Sequence, residues 1–319
     1  MGNINEKKLG KGRSSMRNQK YIDPNKPRCL VTGYKGYIGS RLYEALKTLG
    51  HDTIGIDLKD GHDINKDLNG GTTGEAFHPM YYKFKPEYIF HLACIPRVAY
   101  SVEHPVETTQ NNVLATTNVL NFARKVGAKR VIYSGSSSVI GDGTGPTSPY
   151  GFQKLVSELE CRLYSKLYGL DTVSLRYFNV YSSDQEVTGP YATAIANWME
   201  YIRTNKNPFI TGDGEQRRDM LHVSDAVSAN IFAMGHKERF NGKHFDVGTG
   251  KNISLNEAKK IASGHFPSVK FDYVEERKGD VFLTRADTKP LEELGWKVKV
   301  TIDSGLNKCF ETLLNDLRG

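Results

Sequence analysis

One stretch limits what this chain can fold into more than any other: RCLVTGYKGYIGS, residues 28–40. A short apolar run ends in three glycines, Gly33, Gly36 and Gly39, spaced GxxGxxG, and a helical pattern starts at Tyr37. Glycines at a strand-to-helix turn permit positive φ and let the backbone come close to a pyrophosphate. The first turn of the helix then presents unpaired N–H groups to that anion. The spacing alone is a weak fingerprint. What strengthens it is Asp57, 18 residues beyond Gly39 at the end of a second apolar run, IGID. A carboxylate there accepts hydrogen bonds from ribose hydroxyls and repels a 2′-phosphate, so the expected cofactor is NAD rather than NADP.

The same rhythm continues along the chain. Strands are expected at 28–33, 52–58, 87–93, 130–136 and 171–180, and helices at 37–50, 106–127 and 148–169, all three closed by glycine. Strand–helix alternation of this kind predicts α/β architecture, a Rossmann-like doubly wound parallel sheet. Beyond residue 180 the rhythm breaks into short strands, helices and Gly/Pro/Asp turns, with a return to the sheet pattern at 223–250. The expected division is a basic, flexible arm over 1–26, an NAD-binding domain over 27–180 plus 219–250, and a smaller, discontinuous C-terminal α/β substrate domain over 181–218 plus 251–319.

Charge needs locating before it is interpreted. The net charge is +7, and residues 1–28 hold eight basic and two acidic residues, so the rest of the chain is nearly neutral. The basicity belongs to the arm and not to a groove, and no nucleic-acid or membrane partner is expected. No apolar run is long enough to span a bilayer, and the N-terminus lacks the apolar core of a signal peptide. The four cysteines, Cys29, Cys94, Cys161 and Cys309, are scattered without a CxxC pair, as expected of reduced thiols in a cytoplasmic protein. No metal site is expected.

A second motif concerns chemistry. Ser136 ends the fourth expected strand, and Tyr150 and Lys154 stand four apart on the following helix, sharing a face. Tyrosine ordinarily titrates near 10, too high for a base at neutral pH. A nearby ammonium and a cationic nicotinamide both favour its phenolate. A tyrosine so tuned can take a proton from a sugar hydroxyl while hydride leaves the same carbon, with the serine hydroxyl holding or relaying that proton.

With TGYKGYIGS, HLACIPRVAYSVEHP, NNVLATTNVL, SSSVIGD, SPYGFQK, LRYFNVY, GDGEQRRDMLHVSD and ADTKPLEELGW in this order, the chain resembles the extended short-chain dehydrogenase/reductase family. Within it, the likeness is to the NAD-dependent nucleotide-sugar epimerases and dehydratases, over about residues 27–317. The resemblance implies Ser136, Tyr150 and Lys154 as catalytic residues, with Lys154 binding the nicotinamide ribose and lowering the tyrosine pKa. It implies Gly33, Gly36, Tyr37, Ile38, Gly39, Asp57, Leu92, Ala93 and Tyr177 in the cofactor site. Asp63 and Ile64 would lie beside the adenine and Asn112 behind the cofactor. For the substrate it implies Arg218 and Arg277 as diphosphate clamps, with Asn179 adding a contact, Asp280 on the uridine ribose, and Ser101, Ser137 and Thr284 near the sugar. It also implies a homodimer through helices 106–126 and 149–168, on a face including Val113, Leu120, Leu155, Leu159 and Leu163.

Two departures from the family pattern stand out: a short segment between Ser136 and Tyr150, and Ile140 where the family has tyrosine. The residues after Ser136 are Ser137 and Ser138, without the carboxylate that family dehydratases and decarboxylases carry there. That favours 4-epimerisation of a UDP-sugar. Thr284, small where galactose epimerases restricted to plain hexoses have tyrosine, favours UDP-N-acetylglucosamine. UDP-glucose or UDP-glucuronate epimerisation, a dehydratase or decarboxylase, and a redox-sensing or nucleic-acid-binding module that has lost catalysis are the alternatives.

Overall fold

The computed structural model describes residues 26–68, 78–185, 187, 193–276 and 281–319. Six parallel strands form the central sheet: β1 (Arg28–Thr32), β2 (Asp52–Ile56), β3 (Tyr88–His91), β4 (Arg130–Ser136), β5 (Asp171–Tyr177) and, at the far edge, β8 (Lys243–Val247). Their order is β2-β1-β3-β4-β5-β8. Chain direction across the sheet therefore reverses at β1, and the strand ends beside that switch leave a crevice.

Both faces of the sheet are covered, which is why its strands read as near-continuous apolar runs. In β1, Cys29 and Val31 face one core, shared with Leu42 and Leu46 of the Tyr37–Thr48 helix and Ala226, Ala229 and Ala233 of the Val223–Gly235 helix. Leu30 faces the other, shared with Val119 and Phe122 of the Ala115–Val126 helix and Cys161 of the Pro149–Tyr168 helix. Pro105–Val126 is one helical path interrupted by a π turn at Gln110–Leu114.

A third core belongs to the smaller lobe. Trp198 and Met199 of the Ala194–Arg203 helix pack there with Ala258 and Ala262 of Leu255–His265 and with Leu306 and Phe310 of Ile302–Asp316. Two short two-stranded sheets flank it. One pairs β6 (Phe209–Thr211) with β10 (Asp272–Val274), and the other pairs β7 (Arg217–Arg218) with β9 (Ile253–Ser254).

Packing crosses the expected division: Met220, expected with the sheet, joins the third core. Leu291 and Trp296, expected in the smaller lobe, pack into the first sheet core beside Leu294 and Val298. Trp296 also donates to Ser228 Oγ at 3.0 Å. The chain thus crosses back to the sheet before its last helix. Among the described residues no helix is long and apolar enough to cross a membrane.

Candidate active site

A cleft of about 960 Å³ runs across the C-terminal ends of the sheet strands. Its cofactor half is built on the glycine loop. Gly33 has φ +68°, and a Cβ there would sit 2.8 Å from the Ala93 backbone. A Cβ on Gly39 would collide with the Gly33 carbonyl oxygen. Only glycine allows the loop to fold this tightly against the helix, and this is the reason for the spacing. Gly36 caps the Tyr37–Thr48 helix with no side-chain partner, so the first N–H groups of that helix stay open to the cleft. All three glycines line the cleft with Tyr37 and Ile38.

Asp57 follows β2. Its Oδ2 accepts from Lys35 N at 3.0 Å and its Oδ1 from Lys59 N at 2.9 Å. The carboxylate is therefore held rigidly at the cleft wall, with lone pairs left for a diol. Asp63 caps the short helix that Ile64 begins, and both line the same wall. Leu92 and Ala93 turn at the end of β3, their N–H groups held by Thr32 Oγ1 at 3.2 and 3.1 Å. Asn112 sits in the π turn and stays out of the cleft. It accepts from Ile95 N at 2.8 Å and donates to Gln153 Oε1 at 2.8 Å, tying the floor of the cleft to the helix that carries Tyr150. These donors, acceptors and close backbone approaches fit a dinucleotide; bound there, NAD would supply a reversible hydride acceptor at the nicotinamide.

Ser136, Tyr150 and Lys154, the candidate catalytic residues, converge at the other end. Ser148 caps the Pro149–Tyr168 helix, accepting from Gly151 N at 3.1 Å, and Pro149 occupies its first turn. A Cβ on Gly151 would lie 2.6 Å from the Ser138 carbonyl oxygen, so the helix rests directly on the serine run. The short segment 137–149 therefore leaves Tyr150 beside Ser136. Ser136 Oγ donates to Ser138 Oγ at 3.1 Å, and Ser137 lines the cleft with both.

Tyr150 is buried, and burial pushes its phenol well above the ordinary value; Cys94 adds to the rise and the Ser136 hydroxyl offsets part of it. Lys154 stands close by: its Nζ donates to the Ser134 carbonyl at 2.8 Å and lies 5.9 Å from the Tyr150 ring centre. His91 is held down at about 3 by burial first and the charge of Lys154 second. Tyr177 lines the cleft, its hydroxyl accepting from Asn230 at 2.6 Å.

The residues expected to contact substrate divide. Asn179 lines the cleft in a left-handed conformation, φ +37°, and donates to the Asp219 carbonyl at 2.6 Å and to Thr284 Oγ1 at 3.3 Å. Arg218 reaches the Arg217 and Phe282 carbonyls and, like Thr284, lies outside the cleft lining. Ser101 is a correction. It is fully buried and offers a sugar no surface; its Oγ accepts from Tyr150 N at 3.0 Å and donates to the Val98 carbonyl at 2.6 Å. It is a positioning residue for the tyrosine. Arg277 and Asp280 lie outside the described residues. Sequence reasoning missed Lys35, Cys94 and Ser138, all in the lining. Each sits inside a motif already singled out, and position within those motifs was the available signal.

A glycine-loop sheet domain opening onto a Ser–Tyr–Lys set defines a dinucleotide-dependent enzyme of the short-chain dehydrogenase type. The chain belongs to the NAD dependent epimerase/dehydratase family, whose model matches residues 29–248. It is 32% identical over 313 residues to a putative UDP-glucose 4-epimerase of Methanocaldococcus jannaschii, covering 91% of this chain and 99% of the relative. Among solved structures it is similar to the UDP-N-acetylglucosamine 4-epimerase of Methanobrevibacter ruminantium M1 in complex with UDP-N-acetylmuramic acid. There the TM-score is 0.80 at 28% identity, over 91% of this chain and 99% of that one. It is likewise similar to MoeE5 in complex with UDP-glucuronic acid and NAD, with TM-score 0.78 at 28% identity, over 92% and 100%.

Proposed function

We propose that this protein is an NAD-dependent 4-epimerase of a UDP-sugar, with UDP-N-acetylglucosamine and UDP-N-acetylgalactosamine as its substrate pair. The observation that carries the reading is the composition of the catalytic corner. Ser136, Tyr150 and Lys154 meet there beside the hydroxyls of Ser137 and Ser138 and the Cys94 thiol, with no carboxylate following Ser136 in its segment. The carboxylates that line the cleft, Asp57, Asp63 and Asp184, come from other segments. Elimination across C5–C6 needs an added acid/base pair, whereas epimerisation needs one proton acceptor that later returns its proton.

In this scheme Tyr150 takes the C4 hydroxyl proton as the C4 hydride leaves. The resulting 4-keto sugar turns over, hydride returns to its opposite face, and Tyr150 gives the proton back. Ser136 holds the shared oxygen. The high phenol pKa makes Tyr150 a proton donor until cationic charge gathers beside it, and Lys154 is the residue poised to contribute. Thr284 reaches the cleft only through its hydrogen bond with Asn179, so the choice of the N-acetylhexosamine pair rests on the resemblance, in which a small residue stands where hexose-restricted epimerases have tyrosine.

Homodimerisation is part of the same proposal. Phe152, Leu159, Leu163 and Leu167 form an exposed apolar stripe on the Tyr150 helix, with Val102, Val106 and Leu114 exposed nearby. Leu120, expected on that face, is instead fully buried.

Proton NMR of the protein with UDP-N-acetylglucosamine, UDP-glucose and UDP-glucuronate separately tests the reading. UDP-N-acetylgalactosamine is expected, with turnover lowered by about 10²–10⁴-fold in Tyr150→Phe. Conversion of only another sugar would overturn the substrate, and a 4-keto-6-deoxy product would overturn the reaction.

A further inference from the structure

Two lysines border the carboxylate at the ribose end of the cleft. Lys35 lies in the glycine loop, Lys59 follows β2, and both line the cleft. Their backbone N–H groups hold Asp57, so their side chains start directly beside the carboxylate expected to meet the ribose. Ammonium groups so placed are what a 2′-phosphate would pair with. Neither points there. Lys35 Nζ is bound by Asp60, which accepts from the Tyr34 hydroxyl through its other oxygen. Lys59 Nζ turns back to the Lys35 carbonyl at 3.4 Å. Tyr34 is itself seated, since its ring lies over Gly55 where no side chain would fit, and packs on Tyr43 with ring centres 4.9 Å apart. Asp60 is therefore fixed from one side and holds the lysine from the other.

We infer that Asp60 is a second determinant of the choice of NAD over NADP, acting by holding the Lys35 ammonium away from the 2′ position. Asp57 repels a 2′-phosphate; Asp60 withholds the cation that would offset that repulsion. Removing Asp57 alone would leave Lys35 still engaged.

The test is titration of the full-length protein with NADH and with NADPH, reading Kd from nicotinamide fluorescence, so no turnover is needed. Asp60→Asn keeps the side-chain shape and an acceptor for Tyr34 but frees the lysine. It is expected to lower the Kd for NADPH about tenfold while that for NADH changes less than about twofold. The gain should vanish in Asp60→Asn combined with Lys35→Met. Lys35→Met by itself should leave the NADPH-to-NADH ratio of Kd values unchanged, because the lysine is already engaged. An unchanged NADPH-to-NADH ratio in Asp60→Asn overturns the inference. So does a gain that survives the second substitution, which would assign it to the lost charge of Asp60 alone. NADPH binding weakened relative to NADH in Lys35→Met would also overturn it, since the lysine would then already reach the phosphate.

Discussion

At Tyr150 two effects oppose each other, and burial wins: the phenol is raised despite the Ser136 hydrogen bond. His91, on the strand that ends beneath the same site, shows the converse. Its Nδ1 meets Thr32 Oγ1 at 2.8 Å and its Nε2 meets Thr116 Oγ1 at 3.0 Å, and burial with Lys154 nearby holds it neutral, down at about 3. A histidine held below its unfolded value stabilises the fold fully above about pH 6.5, and that contribution is lost as pH falls toward 3. At pH 5 the loss is about 2 kcal/mol. Urea unfolding at pH 7.5 and pH 5.0 should show wild type losing about 2 kcal/mol more than His91→Gln over that interval. Equal losses would mean that the imidazole is protonated in the fold. Little of this was legible beforehand. HLAC reads as the end of a strand, and only packing shows that its histidine is enclosed by two threonines from other segments.

At the scale of elements, the two that carry the site were legible because their signals are local. The glycine loop announces its turn, and Ser148-Pro149 announces the start of a helix. What fastens the second helix was not. Gly151 rests it on the Ser138 carbonyl, and Ser101, 49 residues away in sequence, takes the Tyr150 N–H. Gly151→Ala should therefore act on chemistry more than on folding. Alanine favours the helix, but its Cβ would push the helix off the serine run, and displacement near 1 Å lowers kcat about 10²-fold. Steady-state kinetics together with an NAD titration would check this: kcat should fall while NAD affinity, supplied by the glycine loop, holds. A kcat within about twofold of wild type would mean the helix has slack.

At the scale of the molecule, buried carboxylates join the lobes. Asp219 accepts from Thr249 N at 2.8 Å, Gly250 N at 2.9 Å and Ala286 N at 3.1 Å. Asp225 accepts from Lys299 N at 3.1 Å and Val300 N at 2.9 Å, anchoring the path into the last helix. The exposed stripe on the Tyr150 helix belongs to this scale as well. Leu163→Glu should convert a dimer to a monomer in sedimentation velocity and leave the far-ultraviolet circular dichroism unchanged. A wild-type monomer would remove the dimer from the proposed function.

By itself the sequence determined the sheet and the direction of its strands, because apolar period and turn chemistry are written within a few residues of one another, and its motif order pointed to Ser136, Tyr150 and Lys154 as candidates. Tertiary structure alone decided which groups those residues answer to. It turned Lys154 to the Ser134 carbonyl, buried Ser101 behind Tyr150, tied Lys35 to Asp60 and sent Trp296 back to the sheet core. Each of these contacts joins segments whose distance in space depends on how the whole chain packs, and a local pattern does not encode that distance.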